Sequence, residues 1–316
     1  MKILVTGGAG FIGSHVCARL LEEGHDVLCV DTLITGSERN IAAFHTDSHF
    51  TFLKHDVTQP FEFEAEAIFH MASPASPVGY MENPIETILV NSQGTYQMLE
   101  QARKQKAMFL YTSTSEAYGD PLEHPQREDY WGHVNPVGPR ACYDESKRLG
   151  ETLTMEYYRQ FQLNARIVRI FNTYGPNSQM EDGRMIPNFI TQALKNEPLT
   201  IYGDGSKTRS ICYVSDLVEG LMRAMFKPHT AGEIFNLGNT EEHTVLEFAQ
   251  TIIKLCNASS SIVFESSRID DPERRRPDIT KARTMLGWEP RVPKEEGLLQ
   301  TIEWFRTQIP NLSTVL

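Results

Sequence analysis

Tyr143 and Lys147 stand four residues apart, a spacing that puts both on one face of a helix. A phenol titrates near pH ~10 and is a poor base at neutral pH, but an ammonium beside it favours the phenolate. Thr114, Ser115 and Glu116 add two hydroxyls and a carboxylate, and the Thr114 hydroxyl can hold a reacting oxygen in register with Tyr143. The Tyr-Lys spacing alone would equally fit a solvated helix face. A second pattern supports the chemical reading. Gly7-Gly8-Ala9-Gly10-Phe11-Ile12-Gly13 follows an apolar run and opens a helical period. Gly7 permits a tight turn, Gly10 lets the backbone approach a pyrophosphate, and Gly13 lets helix and strand pack closely. The free N–H groups at the helix start then hold the phosphates. Asp31, at the end of the next strand, can accept from both ribose hydroxyls and would repel a 2′-phosphate. No Arg or Lys immediately follows it, so NAD is expected over NADP. Asp56 ends the third strand, where the adenine ring is expected; a plain strand-end cap would look the same.

These groups need a sheet to present them. Short apolar runs at 3–5, 27–30, 50–53, 67–69, 109–112 and 166–170 read as strands buried on both faces. Helical periods lie between them: one holds Ile12, Val16, Leu20 and Leu21 and stops at Gly24, a second spans 84–106, and a third 144–161. Strands alternating with helices predict an α/β, doubly wound parallel sheet of the Rossmann kind. After about residue 171 Pro and Gly become frequent, and helical stretches at 188–196, 214–226 and 245–256 alternate with short strands. The expected division is 1–171 for NAD and 172–316 mainly for the substrate, as a smaller lobe with some chain crossing back to the sheet.

Composition sets the outer limits. The formal charge of −11 has the wrong sign for a nucleic-acid binder, although a few local arginines can still hold a small anion. The five cysteines, Cys17, Cys29, Cys142, Cys212 and Cys256, are scattered singly, which suggests neither a zinc site nor a disulfide framework and points to a reducing cytoplasm. No run of about 18 apolar residues predicts a membrane span, and the start of the chain is too short in apolar residues for a signal peptide. There is no HExxH, and no metal is expected. His70 reads as a structural residue and Cys142 as packing.

Longer stretches carry a resemblance. They are Ala72-Ser73-Pro74-Ala75-Ser76-Pro77-Val78, Thr112-Ser113-Thr114-Ser115-Glu116, and Tyr130-Trp131-Gly132-His133-Val134-Asn135-Pro136 running into Gly138-Pro139-Arg140. Arg169-Ile170-Phe171-Asn172-Thr173-Tyr174-Gly175-Pro176 and Asp270-Asp271-Pro272 before Arg274-Arg275-Arg276-Pro277 follow. On these the chain resembles the extended short-chain dehydrogenases/reductases that act on nucleotide sugars, and within them most closely the decarboxylases of UDP-glucuronate. The resemblance implies that Tyr143 takes the proton of the sugar 4-hydroxyl, that a 4-keto uronate loses carbon dioxide, and that UDP-xylose leaves with NAD restored. It assigns catalysis to Thr114, Ser115, Glu116, Tyr143 and Lys147, with Glu116 near C5. To the NAD site it adds Phe11, Ile12, Thr35, Gly36, Val57, Met71, Ala72, Ser73 and Thr173, beside Tyr143 and Lys147. It gives Arg209 and Arg275 to the nucleotide diphosphate, and Pro77, Asn172, Arg184, Asn188 and Tyr202 to other substrate contacts. A homodimer through the helices at 84–106 and 144–161 is implied as well.

The match departs at Leu89 and Val90, where the decarboxylases carry Lys-Thr, at Asn177 in place of Arg, at Ser146 in place of Gly, and at Pro187 in place of Ser. A UDP-glucuronate 4-epimerase and a nucleotide-hexose 4,6-dehydratase share the first oxidation and stay open. A non-catalytic NAD-sensing protein is the more distant alternative. Glu116 favours decarboxylation, because a simple 4-epimerase needs no third polar group there.

Overall fold

The computed structural model describes residues 1–181, 183–266 and 274–309, so the Asp270-Asp271-Pro272 stretch lies outside the described residues. The apolar runs of the first half form β1 (Lys2–Thr6), β2 (Asp26–Asp31), β3 (Phe50–Lys54), β4 (Ala67–His70), β5 (Met108–Thr114) and β6 (Ala165–Ile170). Between them run α1 (Phe11–Glu22), α2 (Pro77–Glu82), α3 (Pro84–Leu89), α4 (Thr95–Gln105) and α5 (Ala141–Phe161). The second half supplies β7 (Thr173–Tyr174), α6 (Met185–Leu194), β8 (Leu199–Tyr202), β9 (Thr208–Arg209), β10 (Cys212–Tyr213), α7 (Val214–Phe226) and β11 (Ile234–Leu237). It ends with β12 (His243–Thr244), α8 (Val245–Cys256), β13 (Ile262–Glu265) and α9 (Lys294–Gln308).

Seven strands join in one sheet, in the order β11-β6-β5-β4-β1-β2-β3, and every neighbouring pair is parallel. Such a sheet must be covered on both faces, and two apolar layers do so. One joins Val5 and Phe69 to Val16 and Leu20 of α1 and to Leu217 and Leu221 of α7. The other joins Leu4, Ile68 and Phe109 to Met98 and Leu99 of α4 and Tyr157 of α5. Each fully buried Leu of this kind contributes roughly 1.5–3 kcal/mol over its exposed state. From residue 172 on, the chain has two jobs. α7 and β11 complete the sheet and its cover, while α6, α8, α9 and the parallel pair β8–β13 build the smaller lobe.

The helix expected over 84–106 is present, with a π turn in its middle. A π turn, Val90–Gly94, separates α3 from α4. Asn91 within it donates to Ser73 Oγ at 3.0 Å, Thr87 O at 2.9 Å and Ser146 Oγ at 3.1 Å, which aims the turn at the loop after β4 and at α5. α2 has no periodic sequence signal; Ser76 caps it by accepting from Gly79 N at 3.1 Å. The sheet order reverses between β1 and β4, and at that point open α/β sheets leave a crevice at their carboxyl edge.

Candidate active site

A cavity of about 480 Å³ occupies this crevice and extends under the smaller lobe. Every catalytic, cofactor and substrate candidate named from the sequence lines it, from Gly7 and Asp31 at one end to Tyr202, Arg209 and Arg275 at the other.

The half over β1 and β2 fits a dinucleotide. Gly7 adopts φ +70 and donates its N–H to Val30 O at 2.7 Å. A Cβ on Gly7 would stand 2.8 Å from the Ala72 backbone after β4, and one on Gly13 would stand 2.1 Å from Gly7 O, so the close approach of that segment at Gly7 and of α1 at Gly13 excludes any side chain. Among the described residues no side chain caps the start of α1, which leaves its first N–H groups for an anion. The Asp31 carboxylate is buried and accepts from Ala9 N at 3.0 Å and Leu33 N at 2.8 Å. Burial pushes its carboxyl above the usual range, against the pull of those N–H groups. Asp56 forms a tight turn by accepting from Thr58 N at 2.9 Å beside Val57. Asp31→Ala should weaken NAD binding roughly 10- to 100-fold and narrow the preference over NADP, since it removes both an anionic acceptor and a repulsion. Asp31→Asn keeps the shape and separates the charge effect. Fluorescence titration of both cofactors decides the matter, and wild-type protein binding NADP as tightly as NAD would contradict the assignment.

The other half holds the proton-transfer groups. β5 ends at Thr114, which accepts from Glu116 N at 3.2 Å and so turns the chain to put Thr114, Ser115 and Glu116 at the cavity. α5 brings Tyr143 and Lys147 to the same place. The Tyr143 ring stacks on Tyr80 of α2, with centroids 5.0 Å apart and planes at 7°. Lys147 Nζ donates to Thr112 O at 2.8 Å and lies 5.9 Å from the Tyr143 ring centroid. The sequence leads one to expect this ammonium to bring the phenol down. The resting cavity differs: burial pushes Tyr143 up to about 12, with the Thr114 hydroxyl pulling it down and the Glu116 charge adding to the rise. Burial likewise pushes Lys147 down to about 7, opposed by Glu151. Burial is the first cause of both shifts.

Glu116 has partners that sequence reasoning did not supply. Arg275 forks onto both of its oxygens, with Nη2 to Oε2 at 2.9 Å, and Arg140 donates to Oε2 as well. Burial works against the charge, but Arg275 and Arg140 outweigh it and hold the carboxyl below its usual range. Arg275, expected at the diphosphate, is therefore engaged with Glu116 and with Gly119 O. Arg184 reaches Ala75 O at 2.9 Å, and Arg209 donates to Thr208 O at 2.8 Å. Asn172, Thr173, Pro77 and Asn188 line the wall between them. Of the groups missed, Tyr80 lacked any signal, whereas Arg140 precedes Tyr143 by three residues and shares its helix face.

His70 is structural. Its ring sits between Thr6 Oγ1 at 2.8 Å and Thr95 Oγ1 at 3.1 Å, and burial, then the Lys147 charge, pushes it down to about 3. An unfolded chain takes up this proton near pH ~6.5, whereas the folded chain refuses it until far lower. Stability is therefore unaffected above that value and is lost as pH falls from there toward about 3. The expected slope is ~1.4 kcal/mol per pH unit. Denaturant unfolding at stepped pH should show a shallower acid loss in His70→Gln than in the wild type; equal losses would mean that His70 protonates in place.

The profile of the NAD dependent epimerase/dehydratase family matches residues 3–238. A UDP-glucuronic acid decarboxylase 1 of Danio rerio is 52% identical over 308 residues, which cover 98% of this chain and 73% of that protein. Among solved structures, a UDP-glucose 4-epimerase with UDP-glucose from Thermotoga maritima superposes with a TM-score of 0.87 at 31% identity, covering 98% of this chain and 99% of that one. A UDP-glucuronic acid 4-epimerase from Bacillus cereus, in complex with UDP-glucuronic acid and NAD, gives 0.88 at 29% identity over 98% of this chain and all of that one (100%).

Proposed function

The chain belongs to the NAD dependent epimerase/dehydratase family, and on that footing we propose that it decarboxylates UDP-glucuronate to UDP-xylose through a 4-keto intermediate, with NAD recycled. It is an NAD-dependent carboxy-lyase. The observation that carries this over simple 4-epimerase chemistry is Glu116, held ionised by two guanidiniums in the same cavity end as Thr114 and Tyr143. Its likeness to a curated decarboxylase is also the higher one, at 52% identity against 29% for the UDP-glucuronic acid 4-epimerase.

The Gly7–Gly10–Gly13 turn and the Asp31 carboxylate would hold the dinucleotide. When bound, NAD supplies the hydride acceptor for C4 and a cationic ring that favours the phenolate. Tyr143 takes the proton of the 4-hydroxyl while Thr114 holds that oxygen. The resulting ketone lies β to the uronate carboxylate, so carbon dioxide leaves with its bonding electrons passing into the carbonyl. The Tyr143 and Thr114 hydroxyls then stabilise the enolate oxygen. C5 takes a solvent proton at the Glu116 end, and Tyr143 returns its proton to the C4 oxygen as the ketone is reduced back to the hydroxyl. Arg209 serves the diphosphate. A second copy of this chain is the expected partner: Ile85, Ile88 and Leu89 of α3, Tyr96 of α4 and Leu149 of α5 are exposed apolar side chains on the helices expected to pair. A reducing cytoplasm suits the five unpaired cysteines. Among the described residues no helix is long and apolar enough to cross a membrane.

The reading is tested by offering UDP-glucuronate, UDP-glucose and a dTDP-hexose separately with NAD. Trapped carbon dioxide from UDP-glucuronate alone is the expected result. A new uronate without gas means epimerisation, water loss from a hexose means dehydration, and no turnover of any of them leaves a sensing role.

A further inference from the structure

Four ionisable side chains from three separate stretches of chain meet at the end of the cavity beyond Tyr143. Glu116 comes from the turn after β5, Arg140 and Asp144 from the start of α5, and Arg275 from beyond β13. Arg275 is buried at 6% exposure, and Arg140 is half-buried. A cation at the first residue of a helix faces the positive end of the helix dipole, an arrangement that costs stability unless an anion compensates it. Arg140 stands at that place, immediately before α5. Its compensation includes Asp144 of the first turn, 4.0 Å away, and Glu116, which Arg275 already holds by both oxygens. The two arginines differ in what they are attached to. Arg275 belongs to the second half of the chain, whereas Arg140 lies one turn before Tyr143 and two before Lys147 on the same helix.

We propose, on the decarboxylase reading above, that Arg140 is a positioning residue: it ties the Glu116 carboxylate to the helix that carries Tyr143 and Lys147, and so fixes the distance between the group acting at C5 and the group acting at C4. Arg148 of α5 ties the backbone of this turn, donating to Ala117 O at 2.9 Å, but Arg275 alone would hold the Glu116 carboxylate itself to a different part of the chain. A carboxylate with two oxygens can accept from both guanidiniums at once, so the clamp leaves neither cation unpaired. The groups facing Glu116 are Arg140, Tyr143 and Asp144 from α5, Tyr80 from α2 and Arg275. Removing Arg140 takes away one of two positive charges and leaves a second carboxyl, Asp144, as neighbour. The Glu116 carboxyl then rises, and the acid limb of activity moves to higher pH.

The test uses the full chain with NAD and UDP-glucuronate, and compares Arg140→Ala, Arg140→Lys, Glu116→Gln and the Arg140→Ala/Glu116→Gln pair. Thermal unfolding checks that each variant folds, and Arg140→Lys is the variant to read if the alanine form does not. Single-turnover absorbance of the reduced cofactor reports oxidation at C4, and carbon dioxide release reports the later step. Arg140→Ala should slow carbon dioxide release roughly 10- to 100-fold, the loss of a charge-assisted hydrogen bond, while slowing oxidation less. The lysine form should recover part of the loss. The acid limb should rise in the alanine form, and Arg140→Ala should cost little more once Glu116 is Gln. Equal loss in both steps with an unmoved acid limb and full additivity would make Arg140 a merely structural residue, and unchanged rates would remove it altogether. A wild type that oxidises UDP-glucuronate without releasing carbon dioxide would overturn the functional reading itself, and the role given to Arg140 with it.

Discussion

Tyr143→Phe is expected to lower UDP-glucuronate turnover by roughly 100- to 10,000-fold, the loss typical of a missing acid–base group. The change deletes one hydroxyl and keeps the ring, so the stack on Tyr80 at 5.0 Å survives and folding should not suffer. The hydroxyl has two tasks, proton acceptance from the 4-hydroxyl and hydrogen bonding to the enolate oxygen, and Thr114 can take over only part of the second. Steady-state rates with matched NAD binding measure the effect. Turnover within a few-fold of wild type would remove Tyr143 from the mechanism.

Glu151→Ala should be the most destabilising change near the site, at roughly 3–5 kcal/mol. Glu151 accepts from Arg169 Nε at 2.8 Å and Nη2 at 2.7 Å and also takes the Ser113 hydroxyl. Both charged residues are 8% exposed, so removing the carboxylate strands a buried guanidinium. Arg169 also lies over the Tyr118 ring and donates to Glu128 O, so the loss spreads from α5 and β6 into the loop beneath the cavity. Replacing both partners by apolar residues of similar volume should restore much of the stability, because no unpaired charge then remains. Urea unfolding of the single and double variants checks this. A single variant within ~0.5 kcal/mol of wild type, the scatter of ordinary surface substitutions, would mean that the pair is solvated in the folded chain.

The parts of this structure that were legible in the sequence are those set by local pattern. Strands buried on both faces read as short apolar runs, and β1, β2 and β4 lie where those runs are. The glycine turn was legible because its constraint is steric and acts within a few residues: Gly13 meets Gly7 O across six positions. What was not legible depends on distant chain. Glu116 finds its partners 24 and 159 residues away, and no spacing rule reaches that far. The burial that pushes Tyr143 up and Lys147 down was not legible for a related reason. Spacing gives proximity but not burial, and burial is what sets both groups. The π turn at Val90–Gly94 hid in a sequence that reads as one helix, because the side chains that hold Asn91 come from the loop after β4 and from α5.

The most direct test of the central claim is the mass of the product formed from UDP-glucuronate in deuterated water with catalytic NAD. A decarboxylase that protonates C5 from solvent gives a nucleotide sugar lighter by carbon dioxide, with one deuterium at C5 and the NAD undiminished. A product of unchanged carbon count would contradict it.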